Sequence, residues 1–270
     1  MSVQKDPSGQ RSVQSEAEVP GTPEEVWQAI ATGPGISSWF VPTQLEGRVG
    51  GAIKSDFGPG MDSAATIREW QPPFKYVAES QDLGPDAPPV ATEWIVEACS
   101  GDTCTIRVVH RWFASTDDWD SQFEGHTHGW QAFFRILRLY LQHFKGEPGT
   151  PFQLMGVAPE PQAEAWERLT SALGLSGTEA GQSVTSAAGA PAFAGIVERV
   201  GPPDHPELLL RLEQPASGVM HLFALPMGGQ VYLPIRLYLY GEQAPTAAAE
   251  HEPQWQAWLE RHFAPPEPVG

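Results

Sequence analysis

Residues 125–144 read GHTHGWQAFFRILRLYLQHF. Trp130, Phe133, Phe134, Leu137, Leu141 and Phe144 recur there at steps of three and four, and Trp119 and Phe123 extend the pattern upstream. That period predicts a long helix with one apolar stripe. Gly146 and Pro148-Gly149 end it. A helix of this kind draws most of its stability from whatever its apolar face packs against.

The preceding residues supply strands for that purpose. VATEWIVEAC (90–99) and TCTIRVVHRWF (103–113) read as a hairpin. In the second of these, Ile106, Val108, His110 and Trp112 share one face and Arg107, Val109 and Arg111 the other. The first set is the expected inner face. FKYVAES (74–80), SAATIREW (63–70) and the hairpin LEGRVGGAIKSDFG (45–58) lie further upstream, with Pro72-Pro73 as a break between two strands. Residues 13–19 form a first weakly alternating strand, after a leader over 1–12 expected to be disordered. Thr22-Pro23-Glu24-Glu25 predicts a helix start, with Thr22 as N-cap, Pro23 at the first helical position and Glu25 completing a capping box. Gly33-Pro34-Gly35 then reads as a stop, followed by a short helix over Ile36–Trp39.

The order strand, two helices, about six strands, long helix spans 13–147 and implies an α+β class, a curved antiparallel sheet around a terminal helix. The rest, 150–270, reads as a second α+β half. It has a helix over 161–173, loops to about 192, four strands (FAGIVERV, ELLLRLEQ, GVMHLFALPM, QVYLPIRLYLYG) and a closing helix around EPQWQAWLERHF. IVERVGPPDHPELLLRLEQ echoes IREWQPPFKYVAESQ, as a worn repeat of the first half would, or as ordinary strand grammar produces by coincidence.

The chain has 270 residues, 27 Gly and 27 Pro, and a formal net charge of −17. Residues 1–148 hold 20 acids against 11 Lys and Arg, and residues 149–270 hold 13 against 5, so both halves are acidic. Such a surface repels phosphate backbones and anionic lipid heads, which argues against nucleic acid as a partner. No apolar run approaches the length that spans a bilayer, and the N-terminus has no apolar signal core, so a cytoplasmic location without membrane insertion is expected. A two-residue Gly101-Asp102 turn would set Cys99 opposite Cys104. A cross-strand disulfide is then conceivable, but two free thiols are expected in a reducing compartment.

VPGTPEEVWQAIATGPGISSWF, GRVGGAIKSDFG, IREWQPPFKYVAES and GWQAFFRILRLYLQHF together resemble the SRPBCC superfamily, the START, birch-pollen-allergen and polyketide-cyclase group. The branch most similar is the bacterial activator-of-heat-shock-ATPase (AHSA-type) proteins. The resemblance covers residues 13–145. It implies a helix-grip fold with a cavity between sheet and helix, and a range of roles: lipid and hormone binders, aromatic cyclases, some hydrolases, resistance proteins and chaperone cofactors.

Candidate ligand-binding residues are Trp39, Phe40, Phe57, Trp70, Trp94, His110, Trp112, Trp130 and Phe134, since large rings bury area and stack on flat or greasy molecules. Plain core packing explains many of them equally well. His110 is the nominee for a polar pocket group or a general base, against the ordinary reading of a core histidine satisfied by one hydrogen bond. Arg135 and Arg138 are further orienting candidates on the long helix. His126 and His128 stand two apart, too divergent on a helix to chelate one ion, so no metal and no cofactor are expected. Asp117, Asp118 and Asp120 fit helix capping, and Glu69, Glu93 and Glu97 are expected to point outward. The leading expectation is binding of a hydrophobic or aromatic small molecule in an internal cavity. The alternatives are a cyclase or hydrolase using the same cavity, or a chaperone-associated protein that docks a partner through 150–270.

Overall fold

The computed structural model of the chain describes residues 3–57, 62–80, 88–98, 101–113 and 120–263, the side chains of 120–128 excepted. Two units result, Met1–Pro148 and Gly149–Gly270. The first runs β1 (Gln4–Lys5), β2 (Gln10–Pro20), α1 (Pro23–Ile30), α2 (Gly33–Ser37), β3 (Thr43–Leu45), β4 (Ala52–Asp56), β5 (Asp62–Gln71), β6 (Lys75–Ser80), β7 (Val90–Ala98), β8 (Thr103–Phe113) and α3 (Asp120–His143). The sheet order is β1-β2-β8-β7-β6-β5-β4-β3, antiparallel throughout. The first long strand therefore closes onto the last, and the helix that follows, α3, lies along β2. Residues 4–12, expected to be a disordered leader, form β1 and the start of β2, because β8 extends far enough to pair Gln10 with Phe113.

Local chemistry accounts for α1. The Thr22 hydroxyl accepts from the Glu25 N–H at 3.4 Å, and the Glu25 carboxylate accepts from the Thr22 N–H at 3.0 Å. Such a cap is worth about 1 kcal/mol. The short second helix begins earlier than its expected Ile36 start. Gly33-Pro34-Gly35 opens it instead of merely stopping α1, because proline suits a first helical turn and Thr32 caps it by accepting from the Gly35 N–H at 3.0 Å. Gly35 is required by space: a Cβ there would stand 2.0 Å from the Gln28 carbonyl oxygen. The C-terminal carbonyls of the α1 region are taken by distant side chains. The Trp39 indole donates to Ala29 at 2.9 Å and the Tyr76 hydroxyl to Ile30 at 3.0 Å. Helix ends need such acceptor partners when buried.

The inner face of β8 is as expected: Ile106, Val108, His110 and Trp112 are all buried. Register carries that face across the sheet to Val13 on β2, Thr92 and Trp94 on β7, Tyr76 and Ala78 on β6 and Ile67 on β5. From α3, Phe133, Phe134, Ile136, Leu137, Tyr140 and Leu141 are buried, as is Phe144 just past its end.

The second unit runs β9 (Gly149–Ala158), α4 (Gln162–Leu173), β10 (Ser183–Thr185), β11 (Ala194–Val200), β12 (Glu207–Gln214), β13 (Gly218–Phe223), β14 (Leu225–Met227), β15 (Gln230–Tyr240) and α5 (Ala244–His262). The sheet order is β10-β11-β12-β13-β15-β14, with β9 also on β15. Again the first strand pairs with the last, and a terminal helix follows. β9 has no counterpart among the four strands expected from sequence, and α5 is longer than its expected core. β9 escapes a sequence reading because Pro148-Gly149 and Pro151 look like loop, yet its ten residues pair with β15 from Gly149 to Ala158. Gly156 lets α5 settle on β9, since a Cβ there would lie 2.9 Å from that of Phe263. The core holds Leu154, Leu169, Leu210, Met220, Leu233, Trp255 and Trp258. Both units are thus α+β, each an antiparallel sheet with a C-terminal helix, the helix-grip class.

Candidate functional site

On the helix-facing side of the first sheet lies a buried imidazole, His110 on β8, 9% exposed. Its cross-strand neighbour on β7 is Thr92. The Thr92 hydroxyl lies 2.9 Å from His110 Nδ1. From α3, the Trp130 indole donates to His110 Nε2 at 2.7 Å. Three elements therefore meet at one imidazole. An indole N–H is a donor only, so Nε2 must be an acceptor. A neutral imidazole has a single N–H, which then sits on Nδ1 and donates to Thr92.

Around this chain of hydrogen bonds the rings converge. Trp130 stacks on Phe40 with centroids 5.1 Å apart and 15° between planes, and meets Trp94 edge-on at 5.0 Å. It also lies 5.9 Å from Phe134 and 5.9 Å from the His110 ring. Phe40 in turn meets Phe57 at 5.5 Å and Phe133 at 4.4 Å. Trp39 closes the set through Phe40 and Trp94. Seven of the nine expected residues, Trp39, Phe40, Phe57, Trp94, His110, Trp130 and Phe134, are thus one connected group. Trp70 stands in a neighbouring group with Trp27 at 4.9 Å, linked to Trp94 through Tyr76. Trp112, two residues along β8 from His110, packs with Val13 and Val90. Within the group Phe40, Phe57 and Trp130 are half-buried, while Trp39, Trp94 and Phe134 are buried.

Thr92 and Phe133 belong to the group and were not singled out from sequence. Phe133 was visible in the apolar stripe of the long helix. Thr92 was not, because its role depends on register. The observed pairing sets Ala98, not Cys99, opposite Cys104, and the same register sets Thr92 opposite His110. The expected two-residue turn is corrected here, along with the cysteine opposition it implied. A shift of one residue moves a side chain to the other face of a sheet. Cys104 is buried, with its Sγ 3.3 Å from the Gly21 carbonyl oxygen. Cys99 lies outside the described residues.

The solvent-side face of the same sheet is charged. Lys75 lies 2.9 Å from Glu69 and 3.0 Å from Glu93, and Glu93 also pairs with Arg111. Arg107 bridges Glu16 and Glu97. Burial of Glu93 opposes its ionisation, but hydrogen bonds from Arg111 and Lys75 outweigh it and hold the carboxyl below the usual range. Hydrogen bonds to Glu69 and Glu93 raise the Lys75 ammonium in turn. Glu97 is exposed and Glu69 half-exposed, as expected, whereas Glu93, on the same face, is buried beneath Lys75 and Arg111. Arg138 is exposed and Arg135 half-buried. The side chains of Asp117, Asp118, Asp120, His126 and His128 lie outside the described set. Among the described residues no three His, Cys, Asp or Glu side chains cluster for a metal, and no helix is long and apolar enough to cross a membrane.

Residues 20–142 match the family described as Activator of Hsp90 ATPase homolog 1-like protein. That match lies within the first unit, which resembles the AHSA-type branch of the SRPBCC superfamily. No curated protein matches the sequence. Among solved structures, DynU16, from the dynemicin biosynthetic locus, is 16% identical, with 94% of this chain and 96% of that chain covered at a TM-score of 0.44. The di-domain ARO/CYC protein BexL of the BE-7585A biosynthetic pathway is 13% identical over 94% and 99% of the two chains, at 0.46. The Aha1 dimer from Colwellia psychrerythraea is 20% identical over 50% of this chain and 98% of that one, at 0.41.

Proposed function

We propose that the first unit binds a hydrophobic or aromatic small molecule on the helix-facing side of its sheet, among Trp39, Phe40, Phe57, Trp94, His110, Trp130 and Phe134. The observation that carries this reading is the His110–Trp130 hydrogen bond set inside a group of rings, several only half-buried. A core built only for stability gains nothing from a buried imidazole, whose burial costs free energy unless it is hydrogen-bonded. A few oriented polar groups in an apolar lining are what a small-molecule site requires. Capture is driven by apolar burial, and His110 sets orientation.

Native mass spectrometry of protein purified from its own host tests this. The expected result is a co-purifying small molecule that is lost on denaturation. Repeated absence of any such mass, together with no thermal shift across a panel of lipids and polyketides, would sink the proposal.

A further inference from the structure

We infer that the second unit holds a ligand of its own, a small apolar molecule carrying a hydroxyl, bound on the core-facing side of α5 by Trp255 and His251. This site is separate from the one proposed in the first unit and does not depend on it. The closing helix of each unit carries the same run: His, three residues, then Trp-Gln-Ala, an aromatic and an apolar residue. It reads HTHGWQAFF at 126–134 and HEPQWQAWL at 251–259. In α3 the indole of this run, that of Trp130, donates to His110 on β8, the last strand of its sheet. The last strand of the second unit, β15, turns Leu233, Ile235, Leu237 and Leu239 into the core instead. None of those side chains has an acceptor to give.

Trp255 is fully buried, and among the described residues its Nε1–H meets no acceptor. His251 Nδ1 is buried and equally without a partner, although His251 as a whole is half-buried. Four residues apart, the two side chains leave α5 on one face, with about 5–6 Å between their Cβ atoms. An indole only donates, so the group that serves Trp255 must accept. A hydroxyl oxygen does this, and it meets His251 Nδ1 in either tautomer, as donor or as acceptor. The surroundings are apolar. Phe193 stacks on Trp255 at 6.2 Å, Trp258 meets it edge-on at 5.9 Å, and Ala244, Ala247 and Ala248 continue the buried face toward the start of the helix. Two oriented polar atoms in an apolar lining suit a small apolar molecule with one hydroxyl. A phenylalanine at 255 would pack without the N–H, and a buried donor left unmatched is costly.

Proton–nitrogen correlation spectra of the full chain labelled with 15N-tryptophan test the inference at the indole itself. The Trp255 signal is assigned by its loss in Trp255→Phe, and His251→Leu, at a half-buried position, identifies it by its shift should the first variant not fold. The probes are benzyl alcohol and ethylbenzene, which share an outline and differ in a hydroxyl against a methyl. Benzyl alcohol should move the Trp255 Nε1–H signal downfield and saturably, and bind there about tenfold more tightly than ethylbenzene. In His251→Leu the benzyl alcohol affinity read from the same signal should fall about fivefold. A Trp255 signal that neither probe moves, or that both move alike, overturns the inference. So does a Trp255 N–H that shows an Overhauser contact to water and none to benzyl alcohol, which marks an internal water only. Each of these results leaves the binding function of the first unit standing, because Trp130 and His110 are read by other signals.

Discussion

Replacing Thr92 by valine removes the acceptor of the His110 Nδ1–H while keeping the shape of the side chain. His110 is only 9% exposed, so the orphaned N–H has little water to turn to. Leaving a buried donor unsatisfied costs roughly 1–3 kcal/mol. Thr92 itself is half-buried, which places the expected loss in the lower part of that range, about 1–2 kcal/mol. For a unit of this size each kilocalorie moves the melting temperature by roughly 2–4 °C. Differential scanning calorimetry should therefore show the transition of the first unit falling by about 3–6 °C in Thr92→Val. Thr92→Ser restores the hydroxyl and should recover most of the loss. A valine variant within about 0.5 kcal/mol of the parent, the ordinary range for an inconsequential substitution, would refute the assignment of Thr92 as acceptor. So would a serine variant as unstable as valine.

Glu93 sets an acid limb. Its folded pKa is depressed, so its stabilising contribution is present above the unfolded carboxylate value and lost as pH falls through the folded one. Melting temperatures of Glu93→Gln measured from about pH 5 downward should accordingly decline less steeply than those of the parent. Gly35→Ala forces a Cβ against the Gln28 carbonyl, a backbone atom that cannot rotate away, and urea titration should register a loss of about 1–3 kcal/mol. An unchanged midpoint would mean that α1 and α2 do not approach so closely. Cys104 has no exposure. In a Cys99→Ser background it should stay unreactive to a thiol-disulfide reagent in the native state and react fully in guanidinium, whereas rapid native labelling would contradict its burial.

Much of the first unit was legible in the chain because the signals are local. The Thr22–Glu25 capping box closes within four residues, and the 125–144 stripe and the alternation along 103–113 are periods of single elements. The second unit was less legible for an equally physical reason. Its first strand, Gly149–Ala158, has weak alternation and prolines at its start, and it is a strand because β15 offers it a full-length edge. The glycine-proline-glycine segment failed as a stop signal because the same residues also suit a helix start.

The sequence alone therefore determined the class of the fold, the apolar stripe that closes the first unit and the presence of a histidine on its inner face. Only the tertiary structure decided what that histidine is. Thr92 and Trp130, which it meets, lie 18 and 20 residues away, on another strand and on a helix. Which residue stands opposite His110 turns on a one-residue choice of hairpin register, and that choice depends on the whole sheet. The proton on Nδ1 follows from those contacts, because an indole can only donate and a neutral imidazole has one hydrogen to give.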